Sequence, residues 1–456
     1  MFDNRDHIDF GKEDIPKLFG SIFLPTLFGM IFSIAFILSD GIFIGHGVGA
    51  YGLASVNLIA PLMMIINGTG MMFGIGTSVV AAIHMAKDNV KAARLNVTQS
   101  FIAAFAVGGL LALIFYLFPN SVVRLLGVSD QLFAPTKEYY LWFIPTCVLL
   151  MGETLGMFVI RLDGSPTYAM LVNIIPALTN ILFDYIFIFP CHWGLMGAAL
   201  ATDIGGMVGT LMVFYYMAFK AKTLKFCHIK HTITSLRLSL RNVGYMVKLG
   251  LSGFIGELAM AVLMLAGNLM FGHYLGDDGI AAFSVVCYIF PIIFMTYSAI
   301  AQSAQPIISY NYGAGASQRV SKTLRHSLLI AIAVGVAFTL TFVLAAKAII
   351  QVFISPDTAP FGIAVGGLPI FAVGFPFMAV NLVIIGYLQS IEKARTSTWL
   401  TLLRGIVFMA ASFVIMPIWM GELGLWLAVP VTELLTFAVI LVTQLTKTPR
   451  NKDVNI

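Results

Sequence analysis

Apolar stretches of roughly 20 residues or more recur along the whole chain and alternate with short polar segments. This is the length an α-helix needs to cross a bilayer, because each residue adds about 1.5 Å along the helix axis. In lipid, a helix also satisfies its own backbone hydrogen bonds. The pattern predicts an all-α membrane protein with twelve transmembrane helices, at about 18–44, 53–83, 95–118, 137–160, 167–190, 195–219, 249–273, 280–309, 326–350, 361–388, 396–420 and 424–446.

Composition agrees with lipid as the surrounding solvent. The chain is 59% hydrophobic and only 10% charged, whereas soluble domains carry about 25% charged residues. We therefore expect the lipid bilayer as a partner. The first 17 residues mix basic with acidic side chains, so we expect no cleavable signal peptide and a first helix that directs insertion.

The distribution of Lys and Arg predicts the orientation. With a cytoplasmic N-terminus, the cytoplasmic segments hold 23 of the 26 basic residues, including seven in 220–248 and three at Lys393–Arg404. The opposite side keeps Arg124, Lys137 and Lys347. The positive-inside rule then places both termini of a multi-pass protein in the cytoplasm. The net charge of +5 therefore reflects topology, and we expect no nucleic-acid partner. We also expect the protein to be a monomer.

The two halves of the chain resemble each other. Gly45–Ala54 matches Gly272–Ala281 at an offset of 227 residues with five identities, and Gly194–Asp203 matches Gly424–Glu433 at an offset of 230. Two matches at nearly one offset indicate an internal duplication. An even number of helices per half gives both halves the same orientation, so we expect two six-helix lobes related by a pseudo-twofold axis along the membrane normal.

The duplication also predicts the organisation of the chain. We assign residues 1–219 to an N-terminal lobe, 249–456 to a C-terminal lobe, and the basic segment 220–248 to a cytoplasmic linker. Rocking of one lobe against the other gives alternating access, which is the usual role of such repeats in secondary transporters. A rigid channel or a scaffold is the alternative.

Ionisable residues within the predicted spans are candidates for function, since each costs several kcal/mol in lipid unless it is paired, hydrated or neutralised. They are Asp40, Glu153, Asp184, Asp203, Glu257 and Glu433. Counting along the helices places Asp40, Asp184, Thr202 and Asp203 at a similar depth, roughly 7–14 Å below the outer end. These four residues are therefore expected to lie together in the outer half of the N-terminal lobe.

The fifth predicted helix carries Asn173, Asn180 and Asp184 on one stripe, because they are spaced by seven and four residues. This stripe is expected to face the lobe interior. Carboxylate, amide and hydroxyl oxygens suit a hard ion such as Na⁺, whereas crowded, desolvated carboxyls can load and release a proton. Both ions remain open, and hydrogen bonding between helices is the structural alternative.

Other polar residues give weaker indications. Glu153 and Glu257 lie toward the inner half of their spans, where they either contact a cationic substrate or serve packing. Asp203 and Glu433 share a Thr-acid context, which favours a common structural role. The four Cys and eight His are scattered, with no metal or catalytic spacing. We therefore expect no enzyme activity and no cofactor.

Several motifs together resemble one family. They are the Gly-rich loop after the first helix, Arg161–Pro166 after the fourth, Asn180–Asp184 in the fifth, Gly197–Thr202 in the sixth and Tyr312–Gly315 after the eighth. The chain resembles the multidrug and toxic compound extrusion (MATE) transporters over essentially its whole length, and most closely the prokaryotic DinF-like branch.

The resemblance implies export of organic, often cationic, compounds across the prokaryotic cytoplasmic (inner) membrane in exchange for inward H⁺ or Na⁺. Residue by residue it implies a coupling site, with a possible Na⁺, formed by Asp40, Asn180, Asp184 and Thr202. Asp203, Asn173, Glu153 and Glu257 are further candidates for contact with the cavity or with a small organic substrate.

Two positions depart from the family pattern. Glu257 lies about one turn from the acidic residue that another branch carries in the seventh helix, and Glu392 stands where the family usually has Gly. A lipid-linked precursor flippase of the same superfamily, or another transporter with six plus six helices, is the alternative function.

Overall fold

The computed structural model describes residues 8–126, 128, 130–229 and 232–445, and most of them are helical. The helices are α1 (Ile15–Gly47), α2 (Ala50–Ala86), α3 (Val90–Leu117), α4 (Pro119–Leu125), α5 (Asp130–Phe143), α6 (Thr146–Leu162), α7 (Pro166–Ile188), α8 (Gly194–Tyr215), α9 (Ile233–Gly313), α10 (Ser317–Leu344), α11 (Ala346–Gln351), α12 (Ala359–Ala372), α13 (Phe375–Ser390), α14 (Ala394–Leu402), α15 (Met409–Met420) and α16 (Glu422–Leu445). Tyr216–Lys220 and Leu403–Phe408 form π-helical turns. The predicted tails before residue 8 and after residue 445, and Lys230 of the predicted linker, lie outside the described residues.

The helices account for twelve membrane spans within the described part of the chain. Nine helices are long and apolar enough to cross a membrane, and two further spans are the helix pairs α5–α6 and α12–α13, bent by 50° and 46°. Helix α9 has 81 residues and a non-helical break at Gly276. At about 1.5 Å per residue it is far longer than a bilayer is thick, so it contains two spans. The twelve-helix prediction is confirmed.

Each bent pair breaks beside a proline. Pro145 separates α5 from α6, and Pro376 lies in the first turn of α13. Proline lacks the N–H that would bond to the preceding turn, so a continuous helix is interrupted there. The sequence pattern predicted these pairs as single spans because the break leaves the apolar run intact.

The backbone repeats at the turns between helices. Eight of the nine described residues with positive φ form four pairs, which are Gly49 with Gly276, Asp88 with Gly315, Gly164 with Glu392, and Gly194 with Gly421. The pairs are separated by 227, 227, 228 and 227 residues. The left-handed conformation favours Gly, so Glu392 (φ 61°) occupies a backbone position that Gly would fill with less strain. The turns thus support the duplication independently of side-chain identity.

The structure corrects the alignment of the two repeats at Gly194. The sequence match at offset 230 aligned Gly194 with Gly424, but the backbone pairs Gly194 with Gly421, with φ values of 56° and 58°. A shift of three residues is most of a helical turn. Asp203 and Glu433 are therefore not equivalent in backbone register.

The chain forms two compact units. Among the described residues, the first unit contains 8–13 and 20–254, and the second contains 14–19 and 255–445. The boundary between them lies inside α9, and residues 221–232 before this helix contain no helical turn where they are described. The predicted division into lobes 1–219 and 249–456 with a linker at 220–248 stays a prediction.

In the first unit, helices α2, α3, α5, α6, α7 and α8 pack around one another. Small residues allow the closest approaches, as is common between membrane helices. A Cβ on Gly156 of α6 would lie 2.3 Å from Val213 of α8, and one on Gly74 of α2 would lie 2.5 Å from Phe158 of α6. Helix α6 therefore lies in close contact with both α8 and α2 at these two glycines.

In the second unit, α10, α12, α13, α15 and α16 pack together. Trp426 of α16 is almost completely buried against Gly367 of α12 and meets the ring of Phe271 of α9 edge-on. The start of α1 belongs to this unit, where Asp14 forms an ion pair of 3.1 Å with Lys322 of α10.

Asp163, in the loop between α6 and α7, holds the segment that follows α8. Its carboxylate accepts hydrogen bonds from the backbone N–H groups of Lys222, Thr223 and Leu224 at 2.8–2.9 Å, and from the hydroxyl of Tyr216 at 2.8 Å. Backbone N–H groups outside a helix need such acceptors when they are withdrawn from water. Asp163 therefore fixes the start of the connection toward α9.

We expect Asp163→Ala to release residues 221–224 and to destabilise the fold by about 2 kcal/mol, because several charge-assisted hydrogen bonds are lost. Limited proteolysis at this segment and thermal unfolding in detergent measure both effects. Lys222→Ala is the matched control, since it keeps the backbone N–H that Asp163 binds. Equal protease resistance of wild type and Asp163→Ala would contradict the assignment.

Candidate functional site

The polar stripe of α7 faces the interior of the first unit. Asn180 is 2% exposed and Asp184 is completely buried, while Asn173 is half-buried. Asn173 lies next to α1, where its Oδ1 is 3.4 Å from the hydroxyl of Ser33 and a Cβ on Gly29 would lie 3.1 Å from its amide nitrogen. Asn173 thus contributes to the packing of α7 on α1, about two turns from Asn180 and about three turns from Asp184.

Asp40 of α1 and Asp184 of α7 face each other. Their carboxyl groups lie within hydrogen-bonding range of one another. Among the described residues, neither oxygen of Asp184 has a hydrogen-bond donor, and Oδ1 of Asp40 and Oδ1 of Asn180 also have none. Two carboxylates in such a site repel each other and cannot both be ionised without a compensating cation. The arrangement therefore calls for a shared proton or a bound monovalent ion.

Thr202 of α8 completes one side of this group. Its hydroxyl accepts a hydrogen bond of 3.3 Å from the side-chain amide of Asn180 and donates to the carbonyl of Ala198 at 3.1 Å. Because its amide is turned toward Thr202, Asn180 has a free oxygen on its other side. The structure thus brings together the four residues proposed from the sequence, which are Asp40, Asn180, Asp184 and Thr202.

Tyr139 of α5 belongs to the same group, and sequence reasoning missed it. Its side chain is completely buried, its hydroxyl has no hydrogen-bond partner among the described residues, and Asp40, Asp184 and Thr202 are close enough to influence it electrostatically. The phenol can donate to a carboxylate or offer an oxygen ligand. The sequence did contain one indication, because the spacing of Tyr139, Tyr140 and Phe143 places them on one face of a helix. This face of α5 is buried.

Asp203 follows Thr202 but has a different role. Its carboxylate accepts a hydrogen bond from the hydroxyl of Thr146 at the start of α6, and its side chain is 8% exposed. This bond joins α8 to the second half of the bent span α5–α6. Asp203 therefore has a structural partner that Asp40 and Asp184 lack.

Glu153 and Glu257 lie outside this group. Glu153 of α6 is 8% exposed and packs against α8 at Gly209, where a Cβ would lie 2.5 Å from its carboxyl group. No ion pair involves Glu153 among the described residues. Glu257 lies in α9, in the second unit, and is half-buried.

The second unit buries an ion pair that the sequence analysis did not predict. Arg404 was counted among the charges of a cytoplasmic segment, but it is 2% exposed inside a helical span and binds Glu433 of α16. The interpretation of Arg404 as a loop charge is wrong. The error arose because a count of charges along the chain does not distinguish an arginine at the cytoplasmic surface from one nearly three turns inside a helix.

The described residues include no cluster of side chains of the kind that usually binds a metal ion. Among the described residues, no group of three or more His, Cys, Asp or Glu side chains is placed to hold a metal ion. The oxygens of Asp40, Asn180, Asp184, Thr202 and Tyr139 are of the type that hard monovalent ions prefer.

Comparison with known proteins gives one family. A family model described as MatE matches residues 25–186 and 254–421, and thus parts of both units. The multidrug export protein MepA of Staphylococcus haemolyticus (strain JCSC1435) is 24% identical over 409 residues, which cover 89% of this chain and 88% of that protein. MepA of Staphylococcus aureus (strain MRSA252) is 22% identical over 413 residues, with the same coverage.

Solved structures have the same fold. A multidrug resistance MATE family transporter of the MOP superfamily, in an outward-facing conformation, superposes with a TM-score of 0.87 at 22% identity, covering 96% of this chain and 98% of that chain. A MOP superfamily transporter from Pyrococcus furiosus Vc1, described as having a binding pocket of reverse polarity, superposes with a TM-score of 0.86 at 21% identity and the same coverage.

We expect Asp184→Asn to stabilise the protein by about 1–2 kcal/mol in alkaline, sodium-free buffer, because the new amide removes one buried charge and donates a hydrogen bond to Asp40. Thermal unfolding in detergent measures the change. Asp203→Asn serves as the control and should bring no gain, since Asp203 already has a donor in Thr146. A lower melting temperature for Asp184→Asn than for wild type would refute the description of an uncompensated pair.

Proposed function

Because this chain belongs to the MatE family of membrane transporters, we propose that it is an antiporter that exports organic, often cationic, compounds by alternating access while H⁺ or Na⁺ flows inward. The facing carboxyls of Asp40 and Asp184, without a basic partner among the described residues, are the observation that carries this proposal.

Family membership confirms some of the expectations from the sequence and leaves others as proposals. The resemblance to MATE transporters is confirmed, and the chain is a multi-pass membrane transporter of small compounds and not an enzyme. The assignment to the DinF-like branch, the cytoplasmic position of both termini, the prokaryotic inner membrane and the monomeric state stay proposals. The curated relatives are multidrug export proteins, which supports organic drugs or toxic compounds as the exported class.

Binding of the coupling ion would draw two helices together. Asp40 lies on α1 and Asp184 on α7, so repulsion between their carboxylates favours separation of the two helices. A proton or Na⁺ between the carboxyls turns that repulsion into attraction. The position of α1 relative to α7 then depends on the bound ion, which is the differential interaction that a coupled conformational change requires.

The neighbouring groups fit either ion. The free amide oxygen of Asn180 and the hydroxyl oxygens of Thr202 and Tyr139 supply neutral ligands for Na⁺. The Tyr139 hydroxyl, which has no hydrogen-bond partner among the described residues, can donate to the ionised carboxyl when a proton is shared. Asp203, Asn173, Glu153 and Glu257 are proposed as supporting or substrate contacts only.

Transport into or out of proteoliposomes tests the proposal. An imposed sodium or pH gradient is expected to drive movement of a fluorescent organic cation by the wild type. We expect Asp40→Asn and Asp184→Asn each to reduce this movement to the leak of empty liposomes, because a single carboxyl cannot hold and release the ion. Comparing the two gradients identifies the coupling ion.

Asp203→Asn is the matched control, since it changes a buried acid of the same unit that pairs with Thr146. It is expected to retain most of the gradient-driven transport. If both Asp40→Asn and Asp184→Asn transport as well as wild type, the coupling site is not the one proposed.

A further inference from the structure

Glu433 is fully satisfied within the second unit. Its side chain is completely buried. Oε1 accepts a hydrogen bond of 2.7 Å from Nη2 of Arg404, and Oε2 accepts bonds from Nε of Arg404 at 2.9 Å and from Nδ2 of Asn381 at 2.8 Å. This is the bidentate arrangement in which arginine binds a carboxylate most strongly.

The position of Arg404 is held by the backbone. It lies in the π-helical turn Leu403–Phe408, which widens the helix at this point. The next residue, Gly405, packs so closely on α9 that a Cβ would lie 2.3 Å from Cβ of Ala259. The guanidinium is therefore fixed against Glu433 rather than free to reach the membrane surface.

Few other groups face Glu433. Asn381 comes from α13, and its amide also donates to the backbone carbonyl of Glu433 at 2.9 Å. Tyr297 of α9 is completely buried within electrostatic range of Glu433. Thr432 and Thr436 of α16 bond to backbone carbonyls. In the described part of the chain, Arg404 is the basic group that pairs with Glu433.

The two units thus contain related groups with a different charge balance. In each, an asparagine and buried carboxyl oxygens come together between packed helices. In the first unit, Asp40 and Asp184 have no ion-pair partner among the described residues. In the second unit, the negative charge of Glu433 is cancelled by Arg404. The oxygen Oδ1 of Asn381 is also buried and has no donor, as expected for a residue that could serve as a cation ligand.

We infer that the second unit contains a carboxylate site at Glu433 whose cation is permanently supplied by Arg404, so that this site takes up no coupling ion. The inference rests on the proposed coupling site in the first unit and extends it, because Arg404 then determines how many ions the protein binds. A guanidinium cannot be released, since it stays protonated and is covalently attached. Removal of Arg404 should therefore create an ion site that the wild type lacks.

The experiment uses the full chain in detergent in an Asp40→Asn and Asp184→Asn background. Infrared difference spectra between alkaline and acidic buffer report the C=O band of a newly protonated carboxyl, and ²²Na⁺ equilibrium binding at alkaline pH reports sodium. The background protein should gain neither signal in the second unit. Adding Arg404→Gln should add one Glu433-dependent carboxyl band or one bound ²²Na⁺, and adding Glu433→Gln as well should remove it.

These outcomes separate the two claims. If the background substitutions leave ion binding at the wild-type level, the proposed coupling site of the first unit is wrong. If Arg404→Gln yields a folded protein that binds no additional proton or ²²Na⁺, the inference about the second unit is wrong, whatever happens in the first.

A second variant covers the case in which Arg404→Gln alone does not fold, since removing one partner of a buried pair is strongly destabilising. Arg404→Gln with Glu433→Gln, in an otherwise wild-type chain, exchanges the ion pair for two neutral amides. It is expected to bind as many protons or ²²Na⁺ ions as wild type. Loss of one bound ion would show that Glu433 exchanges Arg404 for a coupling ion, and would overturn the inference.

Discussion

A carboxyl group inside an apolar helix bundle must be hydrogen-bonded, paired, protonated or bound to a cation, because an uncompensated charge costs several kcal/mol in lipid. The buried acids of this protein meet the constraint in different ways. Asp203 accepts a hydrogen bond from Thr146, and Glu433 binds Arg404 and Asn381. Asp40 and Asp184 have only each other. A shared proton or a bound monovalent cation is what would compensate this pair.

Much of the fold could be predicted from the sequence because lipid imposes a simple rule. Every backbone group must be satisfied inside its own segment, so a span is visible as an uninterrupted apolar run. The internal duplication was also visible. The breaks were not, because a bend at Pro145 or a left-handed residue at Gly276 interrupts the hydrogen bonds of a helix without interrupting its hydrophobicity. The register of the repeat was fixed by the turns, not by side-chain identity.

The candidate site was predictable where a helical period could be counted. Asn180 and Asp184 share a face of α7 because they are four residues apart, and depth placed Asp40 and Thr202 near them. Tyr139 was missed because a tyrosine in an aromatic-rich chain gives no signal until the fold places its unpartnered hydroxyl near the two carboxyl groups. Arg404 was misplaced because a partner 29 residues away, Glu433, determines that it is buried. Side-chain pairs across helices are tertiary information, and a single sequence does not contain their distances.

The two units share their turn conformations but differ in their buried charges, and this difference has a physical reason. The turns repeat almost to the residue, since a left-handed backbone position admits only glycine without strain, and Asp88 and Glu392 occupy it at a cost of about 1–2 kcal/mol each. Buried polar groups face no such uniform requirement, because a hydrogen bond, an arginine or a bound ion can each satisfy a carboxylate. The scaffold therefore stays symmetric while its charges diverge. Arg404 neutralises Glu433 inside the second unit, whereas Asp40 and Asp184 have no such basic partner among the described residues.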